Sequence, residues 1–135
     1  METIAVVYWS GTGNTLAMAE AVAQACGGAL IEAGSFSPEQ IASYDAIAFG
    51  CPSMGTEELE ESVFAPLFEA CKPLLQGKKL ALFGSYGWGD GEWMRTWEAE
   101  CLDAGAVLAC PSVICQETPD ADTLEQCAAL AKSLM

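Results

Sequence analysis

The sequence predicts a three-layer α/β sandwich with helices on both faces of a five-stranded parallel sheet. Short runs that are apolar throughout, as in strands buried on both faces, alternate with segments of helical periodicity. Five such strands and five helices follow one another without an internal repeat or a low-complexity segment. The 135 residues suffice for one full hydrophobic core, so residues 1–135 are expected to form a single domain.

The first strand and the first helix flank a polar loop. Residues 3–8 are apolar and rich in β-branched side chains, which indicates a central strand. A helix is predicted to start near Asn14 and to end at Gly27-Gly28, because glycine readily takes the left-handed conformation that closes a helix. Its apolar side is predicted to consist of Met18, Ala19, Val22 and Cys26.

Two more strands are predicted in the next stretch, at residues 29–33 and 46–50. Between them, residues 37–40 have the pattern of a capping box with proline at the first helical position, so a short helix to about Ser43 is expected. A helix after the third strand is predicted from the spacing of Phe64, Leu67, Phe68 and Cys71.

The last part of the chain supplies a fourth strand at residues 80–84 and a fifth at residues 106–115. Pro111 indicates that the fifth strand is an edge strand, since proline cannot donate to neighbours on both sides. A helix between these strands places Trp93, Trp97 and Cys101 on one buried stripe. The final helix is expected to start near Asp122 with Glu125 as its capping partner. Its inward side is predicted to consist of Leu124, Cys127, Ala128 and Ala131.

The composition is strongly acidic. Nineteen acidic residues against five basic ones give a formal charge of −14, and there is no histidine. Nucleic acid and anionic membranes are therefore poor partners. Proteins with basic surfaces are expected partners, although the charge could equally serve solubility alone.

Cysteine usage and hydropathy bear on the compartment. The seven cysteines contain no C-x-x-C pair and mostly occupy apolar positions, so we interpret them as reduced core residues rather than as metal ligands. There is no basic segment followed by an apolar one at the N-terminus, and no apolar run reaches roughly 18 residues. We expect a soluble, cytoplasmic protein.

Three loops at the carboxyl ends of strands one, three and four are the least ordinary stretches of the chain. Ligands of parallel sheets bind at these ends, so one shared site is expected. In the first loop, Ser10 to Thr15 combines hydroxyls, glycines and an amide at the start of a helix. Backbone N–H groups and the helix dipole can bind an oxyanion there, most naturally phosphate. The loop has no Lys or Arg, so neutral donors would bind it.

The three loops Tyr8–Thr15, Gly50–Glu57 and Gly84–Gly91 together closely resemble the FMN-binding loops of flavodoxins, the short-chain clostridial type above all. The resemblance extends over essentially the whole chain, including a fifth strand without the long-chain insertion. It implies the flavodoxin-like strand order 2-1-3-4-5. It also implies a low-potential one-electron carrier that uses the semiquinone/hydroquinone couple of noncovalently bound FMN between redox proteins.

In that family the first loop binds the FMN phosphate. The positions concerned are Ser10, Gly11, Thr12, Gly13, Asn14 and Thr15. Some relatives also bring a hydroxyl to the phosphate where this chain has Pro52, so that contact is missing here. The alternative for this loop is an ordinary strand-to-helix turn with a good N-cap.

The second loop, Met54-Gly55-Thr56-Glu57, reads as a turn in which Gly55 takes a positive φ, as a type II′ turn requires. The resemblance implies that the Gly55 carbonyl turns toward flavin N5 and stabilises the neutral semiquinone. It also implies that the Thr56 N–H and the Glu57 carboxylate bind the ring edge, with Glu57 accepting from N3–H. The alternative is a surface turn with a solvated glutamate.

The third loop places Trp88 between two glycines, which disfavours a core position. The family resemblance implies that Trp88 stacks on the outer face of the flavin, lowering its potential, while Met54 approaches the inner face. The role of Trp9 is left open. The remaining candidate cofactor-binding residues are Pro52, Ser53, Ser85, Tyr86, Gly87, Gly89 and Glu117. No residue is expected to act as a catalytic group or a metal ligand, since the flavin supplies the chemistry.

Carboxylates in or beside the site loops would hold the second reduction at a strongly negative potential. One carboxylate about 10 Å from an anionic flavin costs about 1.7 kcal/mol at an effective dielectric of about 20, or roughly 70 mV before salt screening. The residues concerned are Glu57, Glu58, Glu60, Glu61, Asp90, Glu92, Glu117, Asp120 and Asp122.

Other functions on similar folds remain as alternatives. An FMN-dependent reductase of quinones or other small acceptors would need an open pocket above the flavin, which Trp88 is placed to cover. A phospho-acceptor signalling domain needs acidic residues after strand one and an Asp ending strand three, where this chain has Ser10 and Gly50-Cys51. A dinucleotide or P-loop site lacks its glycine or lysine. A colourless partner-binding domain is the last alternative. We expect a monomer.

Overall fold

Alternating strands and helices build the sheet and its two covering layers in the computed structural model, which describes residues 3–55 and 57–135. The strands are β1 (Ile4–Tyr8), β2 (Ala29–Glu32), β3 (Ala46–Gly50), β4 (Lys79–Tyr86), β5 (Val107–Leu108) and β6 (Val113–Gln116). The α-helices are α1 (Asn14–Cys26), α2 (Phe64–Cys71), α3 (Glu92–Asp103) and α4 (Ala121–Ser133). Short 3₁₀ helices occupy Ala33–Ser35, Pro38–Ser43 and Lys72–Leu74.

The sheet is parallel throughout, with the order β2-β1-β3-β4-β5 and β6 also paired with β4. The order implied by the resemblance is therefore confirmed. Because β1 and β3 are neighbours while the chain runs outward in opposite directions from them, their carboxyl ends open a crevice between the following loops. The three predicted site loops follow β1, β3 and β4 at this edge of the sheet.

The fifth strand differs from the prediction. Residues 106–115 were expected to form one uninterrupted strand, but the chain leaves the ladder at residues 109–112 and returns as β6. Pro111 lies in the gap, and proline has no N–H to donate to β4. The predicted edge position is confirmed, while the predicted continuity is wrong.

The two faces of the sheet bury different residues. The face covered by α2 and α3 carries large side chains, and Phe49, Phe64, Phe68 and Trp97 pack edge to face with ring centroids 5.4–6.1 Å apart. Such T-shaped pairs suit the aromatic quadrupole. The face covered by α1 and α4 carries small residues such as Ala46, Ala48 and Ala81. The predicted core roles of Trp93 and Trp97 are confirmed.

The N-terminus of α4 differs from the prediction. Its N-cap is Asp120, whose carboxylate accepts from the N–H of Thr123 at 2.8 Å and from its hydroxyl at 2.9 Å. Asp122 is the second helical residue and Glu125 is exposed, so the predicted cap was two residues too late. The buried residues of this helix are Thr123, Cys127, Leu130 and Ala131, with Leu124 and Ala128 only half-buried.

Three other local predictions concern the capping box at Ser37, the end of α1 and the burial of the cysteines. The capping box between Ser37 and Gln40 is present, although the helix that it opens is 3₁₀ rather than α. Gly27 closes α1 at φ 67°. All seven cysteines are free. Four of them are buried, as predicted for core residues, whereas Cys26, Cys110 and Cys115 are only half-buried.

Within the described ranges, no helix is long and apolar enough to cross a membrane, and no cluster of His, Cys, Asp or Glu could hold a metal ion.

Candidate functional site

A cavity of about 440 Å³ opens at the carboxyl ends of β1, β3, β4 and β6. Its size falls in the usual range for small-molecule and cofactor sites. It is lined by Trp9, Ser10, Gly11, Thr12, Asn14, Thr15, Pro52, Ser53, Met54, Ser85, Tyr86, Gly87, Glu117 and Thr118. The three predicted loops therefore meet at one place, joined by the turn that follows β6.

The first loop presents backbone donors to the cavity. The Ser10 hydroxyl accepts from the N–H groups of Gly13 at 3.1 Å and Leu16 at 3.2 Å, so it caps α1. Within residues 3–55 and 57–135, the N–H groups of Gly11, Thr12, Asn14 and Thr15 donate to no protein atom. Four open donors at a helix N-terminus match the requirements of a bound anion.

Two hydroxyls of cavity-lining residues, those of Thr15 and Ser85, contact each other. Thr15 Oγ1 and Ser85 Oγ lie 3.2 Å apart, and both residues are almost fully buried. The Ser85 carbonyl in turn accepts from the N–H of Ser53 at 2.9 Å. Ser85 therefore fixes the first and second loops to the end of β4. It belongs to that strand rather than to a loop, as does Tyr86, which was also predicted as loop.

The second loop is closed by a pair of reciprocal backbone bonds. Met54 and Glu58 each donate to the other's carbonyl at 2.8 Å. Gly55 has φ 54°, as expected, and Glu57 also lies in the left-handed region at φ 55°. Thr56 lies outside the described residues, so its predicted N–H contact and the type of the turn stay predictions.

The Glu57 carboxylate lies beside the third loop rather than on the wall of the cavity. Its Oε1 accepts from the N–H of Glu92 at 3.1 Å, at the start of α3. A Cβ on Gly89 would approach this oxygen to 2.4 Å, so only glycine lets the carboxylate reach that position. The helix N-terminus favours the negative charge there. This contact links the second loop to the third.

The third loop is braced from two sides. The Gln116 side chain donates to the Gly87 carbonyl at 3.4 Å, and the Glu117 N–H donates to the Tyr86 carbonyl at 2.8 Å. Trp88 is 60% exposed and lies outside the cavity wall, as do Gly13, Gly55, Glu57 and Gly89. An exposed tryptophan at the rim of a cavity is available to cover a ligand.

Two cavity residues were not among the candidates. The Trp9 ring lies over Gly11, where an added Cβ would sit 3.1 Å from the ring. Its signal in the sequence was an aromatic side chain directly between a strand and the phosphate-type loop. Thr118 had no such signal, because its place depends on the turn after β6, where Glu117 has φ 59°.

An anion in the cavity would be bound by neutral hydrogen-bond donors. No Lys or Arg is among the described residues that line it. Cys51 lies at the start of the second loop, and burial raises the pKa of its thiol to about 12, so it stays neutral and is not a nucleophile. The open N–H groups and the flat aromatic walls fit a phosphorylated, ring-containing cofactor such as FMN.

Comparisons with known proteins identify the family. The sequence model described as Flavodoxin matches residues 6–130. The chain belongs to the flavodoxin family. It is 48% identical over 122 residues to a flavodoxin from Megasphaera elsdenii, covering 87% of this chain and 88% of that protein. It is 43% identical over 124 residues to one from Clostridium beijerinckii, with 85% and 87% coverage.

Solved structures agree with this assignment. The solution structure of two-electron reduced Megasphaera elsdenii flavodoxin superposes with a TM-score of 0.89 and 42% identity over 97% of both chains. Flavodoxins are FMN-based electron carriers between redox proteins and turn over no substrate of their own. The predicted family, cofactor and function are confirmed at this level, and the reductase alternative is not favoured.

Proposed function

We propose that this chain carries single electrons at low potential between redox proteins, with one FMN bound noncovalently in the cavity at the carboxyl ends of β1, β3 and β4. The observation that supports this most is the set of four open N–H groups on the first loop. They belong to residues that line the same cavity as the Thr15–Ser85 hydroxyl pair. When bound, FMN supplies the electron-transfer chemistry, and the chain binds it and tunes its potential.

The phosphate end of the cofactor is assigned to Ser10–Thr15. Gly11, Thr12, Asn14 and Thr15 would donate N–H groups to the phosphate, and the α1 dipole would add to their effect. Ser10 and Gly13 support the phosphate site indirectly, because the Ser10 hydroxyl accepts from the Gly13 N–H at the start of α1. Pro52 lines the same cavity without offering a donor, which leaves the phosphate with fewer hydrogen bonds than a hydroxyl there would allow.

The ring end is assigned to the second and third loops. Met54 and Trp88 are both partly exposed at the rim, at 39% and 60%, and are free to contact the two ring faces. Oε1 of Glu57 is held by Glu92, which leaves Oε2 to accept from the edge of the ring. Trp9 and Tyr86 complete the aromatic wall of the cavity. The Thr56 N–H is proposed as a second contact to the ring edge.

The partners are proposed to be proteins with basic docking surfaces. Carboxylates occur in the second and third loops and in the turn before α4, where Glu117 lines the cavity, and none of the described cavity-lining residues is basic. Arg95 offsets one of these charges, because it pairs with Asp90 of the third loop at 3.0 Å. A field of this sign orients a positively charged partner toward the cofactor and raises the encounter rate at low salt. We also propose that residues 1–135 act as one monomeric domain in the cytoplasm, where seven free thiols stay reduced.

A fluorescence titration tests the proposal. FMN fluorescence should be quenched on addition of the apoprotein with a 1:1 end point, and riboflavin, which lacks the phosphate, should bind more weakly. Protein that stays colourless and leaves FMN fluorescence unchanged would contradict the proposed function. Sustained reduction of a quinone by NADH with this protein alone would instead support a reductase.

A further inference from the structure

The carboxylate of Glu60 is buried directly behind the second loop. Glu60 is 5% exposed. Its carboxylate accepts from the N–H groups of Ser62 at 2.8 Å, Val63 at 2.8 Å and Phe64 at 2.9 Å, and also from the Ser62 hydroxyl. Both oxygens are therefore bonded, and the charge lies at the N-terminus of α2. This carboxylate fixes Glu60 to the helix that follows it.

The ionised form is the one that these contacts stabilise. Burial by itself would raise the pKa of Glu60, but the hydrogen bonds from the Ser62 side chain and from three backbone N–H groups outweigh it. The net effect holds the pKa below its ordinary value. The carboxylate is therefore charged at neutral pH.

The backbone of Glu60 is bonded in the other direction, to the strand that precedes the loop. Its N–H donates to Cys51 Sγ at 3.4 Å. Cys51 is itself fixed, since its N–H donates to the Phe83 carbonyl at 3.2 Å and its carbonyl accepts from the Trp93 indole at 3.2 Å. The Cys51–Glu60 contact therefore closes the base of the loop formed by residues 52–59.

Leu59 packs against the hydrophobic core, so apolar contacts hold mainly the C-terminal end of this loop. Met54, Gly55 and Glu58 are exposed, and Pro52 and Ser53 are only half-buried. Hydrogen bonds hold the rest of the loop: Ser53 N–H donates to the Ser85 carbonyl, and the Glu57 carboxylate accepts from the Glu92 N–H. The reciprocal Met54–Glu58 bonds lie near its tip, and the Cys51–Glu60 contact is the one at its base. Loops with little buried apolar area open easily unless such bonds hold them.

We propose that Glu60 is a positioning residue for the electron-transfer site. Its carboxylate, bound by the first turn of α2, and its N–H, bound by Cys51, hold the base of the 52–59 loop. They thereby fix Gly55 and Glu57 at the ring end of the cofactor. The inference rests on the proposed function, because it assigns the loop its place beside FMN.

The test compares Glu60→Gln with Glu61→Gln. Each variant removes one negative charge, but the Glu61 side chain is exposed and the carboxylate of Glu60 is bonded to α2. Three quantities are measured for each: hydrogen exchange at the Met54 and Glu58 N–H groups, the FMN dissociation constant, and the lower one-electron potential. Cys51→Ala removes the acceptor for the Glu60 N–H without any change in charge.

Glu60→Gln is expected to speed exchange at Met54 and Glu58 and to raise the FMN dissociation constant about tenfold, which corresponds to about 1.4 kcal/mol. Cys51→Ala should act in the same direction. The double variant should lose less FMN affinity than the sum of the two single variants, since both substitutions break the same link from α2 through Glu60 to Cys51. Glu61→Gln should leave exchange and affinity unchanged. The lower potential should shift more in Glu60→Gln than in Glu61→Gln.

Equal potential shifts in the two glutamine variants, with wild-type exchange in both, would overturn the inference and reduce Glu60 to one more nearby charge. If Glu60→Gln does not fold, wild-type exchange and affinity in Cys51→Ala overturn it. Exchange is also measured on the apoprotein, so failure of the wild type to bind FMN would reject the proposed function without deciding whether Glu60 holds the loop.

Discussion

The side-chain oxygens of Thr15 and Ser85 lie 3.2 Å apart under the cavity, although 70 residues separate them in the chain. Thr15 belongs to the first turn of α1 and Ser85 to the end of β4. The hydrogen bond therefore fixes the phosphate-binding loop relative to the strand that leads into the Trp88 loop. The two ends of the proposed cofactor site are therefore joined by a direct side-chain contact.

Replacing Thr15 by valine is expected to weaken FMN binding about tenfold and to leave riboflavin binding nearly unchanged. The substitution keeps the shape of the side chain but leaves the buried Ser85 hydroxyl without its partner, which costs about 1–3 kcal/mol of folding stability. Fluorescence titrations with both flavins measure the ratio. Thr123→Val, which removes a buried hydroxyl bonded to Asp120, is the control and should lower stability alone. Equal losses for FMN and riboflavin would count against a phosphate site at Thr15.

Gly55→Val should narrow the separation between the two one-electron potentials and weaken FMN binding. Gly55 has φ 54°, where a β-branched residue is strained by about 1–2 kcal/mol, and valine would also restrict the peptide at the ring end. A redox titration with optical detection measures both potentials. Gly77→Val is the matched control, because Gly77 has φ 77° and open space around it but lies before β4, away from the cavity. Unchanged potentials in Gly55→Val would exclude a role for this peptide.

Trp88→Ala should weaken FMN binding and raise the lower potential by about 20–65 mV. Stacking on an electron-poor ring is worth about 0.5–1.5 kcal/mol and fades as the ring gains electrons. Since Trp88 is 60% exposed, the free energy of unfolding of the apoprotein should hardly change. Leu102→Ala, at 57% exposure on α3, serves as the control for loss of an exposed apolar side chain. A wild-type redox titration for Trp88→Ala would remove this residue from the site.

Acid should destabilise the wild type more than Glu60→Gln. The pKa of Glu60 in the folded protein is held below its ordinary value of 4.5, because hydrogen bonds outweigh the effect of burial. The unfolded chain therefore binds the proton more tightly, so this stabilisation is complete above about pH 5 and is lost as the pH falls through the lowered folded pKa. Urea unfolding at several pH values between 7 and 3 measures the slope. Parallel slopes for the two proteins would contradict this assignment.

Asp120→Asn offers a weaker version of the same experiment. Hydrogen bonds from the Thr123 N–H and hydroxyl lower the pKa of Asp120, so its contribution disappears in the same direction as the pH falls. Because this carboxylate is exposed, its effect should be smaller than that of Glu60 and should decrease with added salt.

The central strands and the three site loops could be predicted because the signals are local. β1, β3 and β4 are buried on both faces, so each reads as an apolar run with polar loop residues at its carboxyl end. The convergence of those loops then follows from the parallel sheet. The phosphate-type loop was recognised from residues that are adjacent in the chain.

The remaining features depend on partners far away in the chain. The fifth strand is interrupted at Pro111 because proline cannot donate to β4, the neighbouring strand. The local sequence alone does not reveal that neighbour. Glu57 and Glu92 are 35 positions apart, and no local pattern pairs them. In the sequence, Glu60 is one of several closely spaced acidic residues and has no distinguishing pattern. Its role depends on contacts with the Cys51 thiol and α2 that form only in the folded chain.

The backbone conformations of Glu57 and Glu117 lower the stability of the fold, while their carboxylates lower the potential of the proposed cofactor. Among the described residues other than glycine, only Glu57 and Glu117 have a positive φ, and each conformation costs roughly 1 kcal/mol relative to glycine. Glu57 recovers part of this cost by capping α3. A selection for heat resistance should therefore favour glycine at Glu117 first, and it would remove a rim carboxylate in doing so. Variants that survive such a selection are expected to be easier to reduce, which would make them poorer low-potential donors.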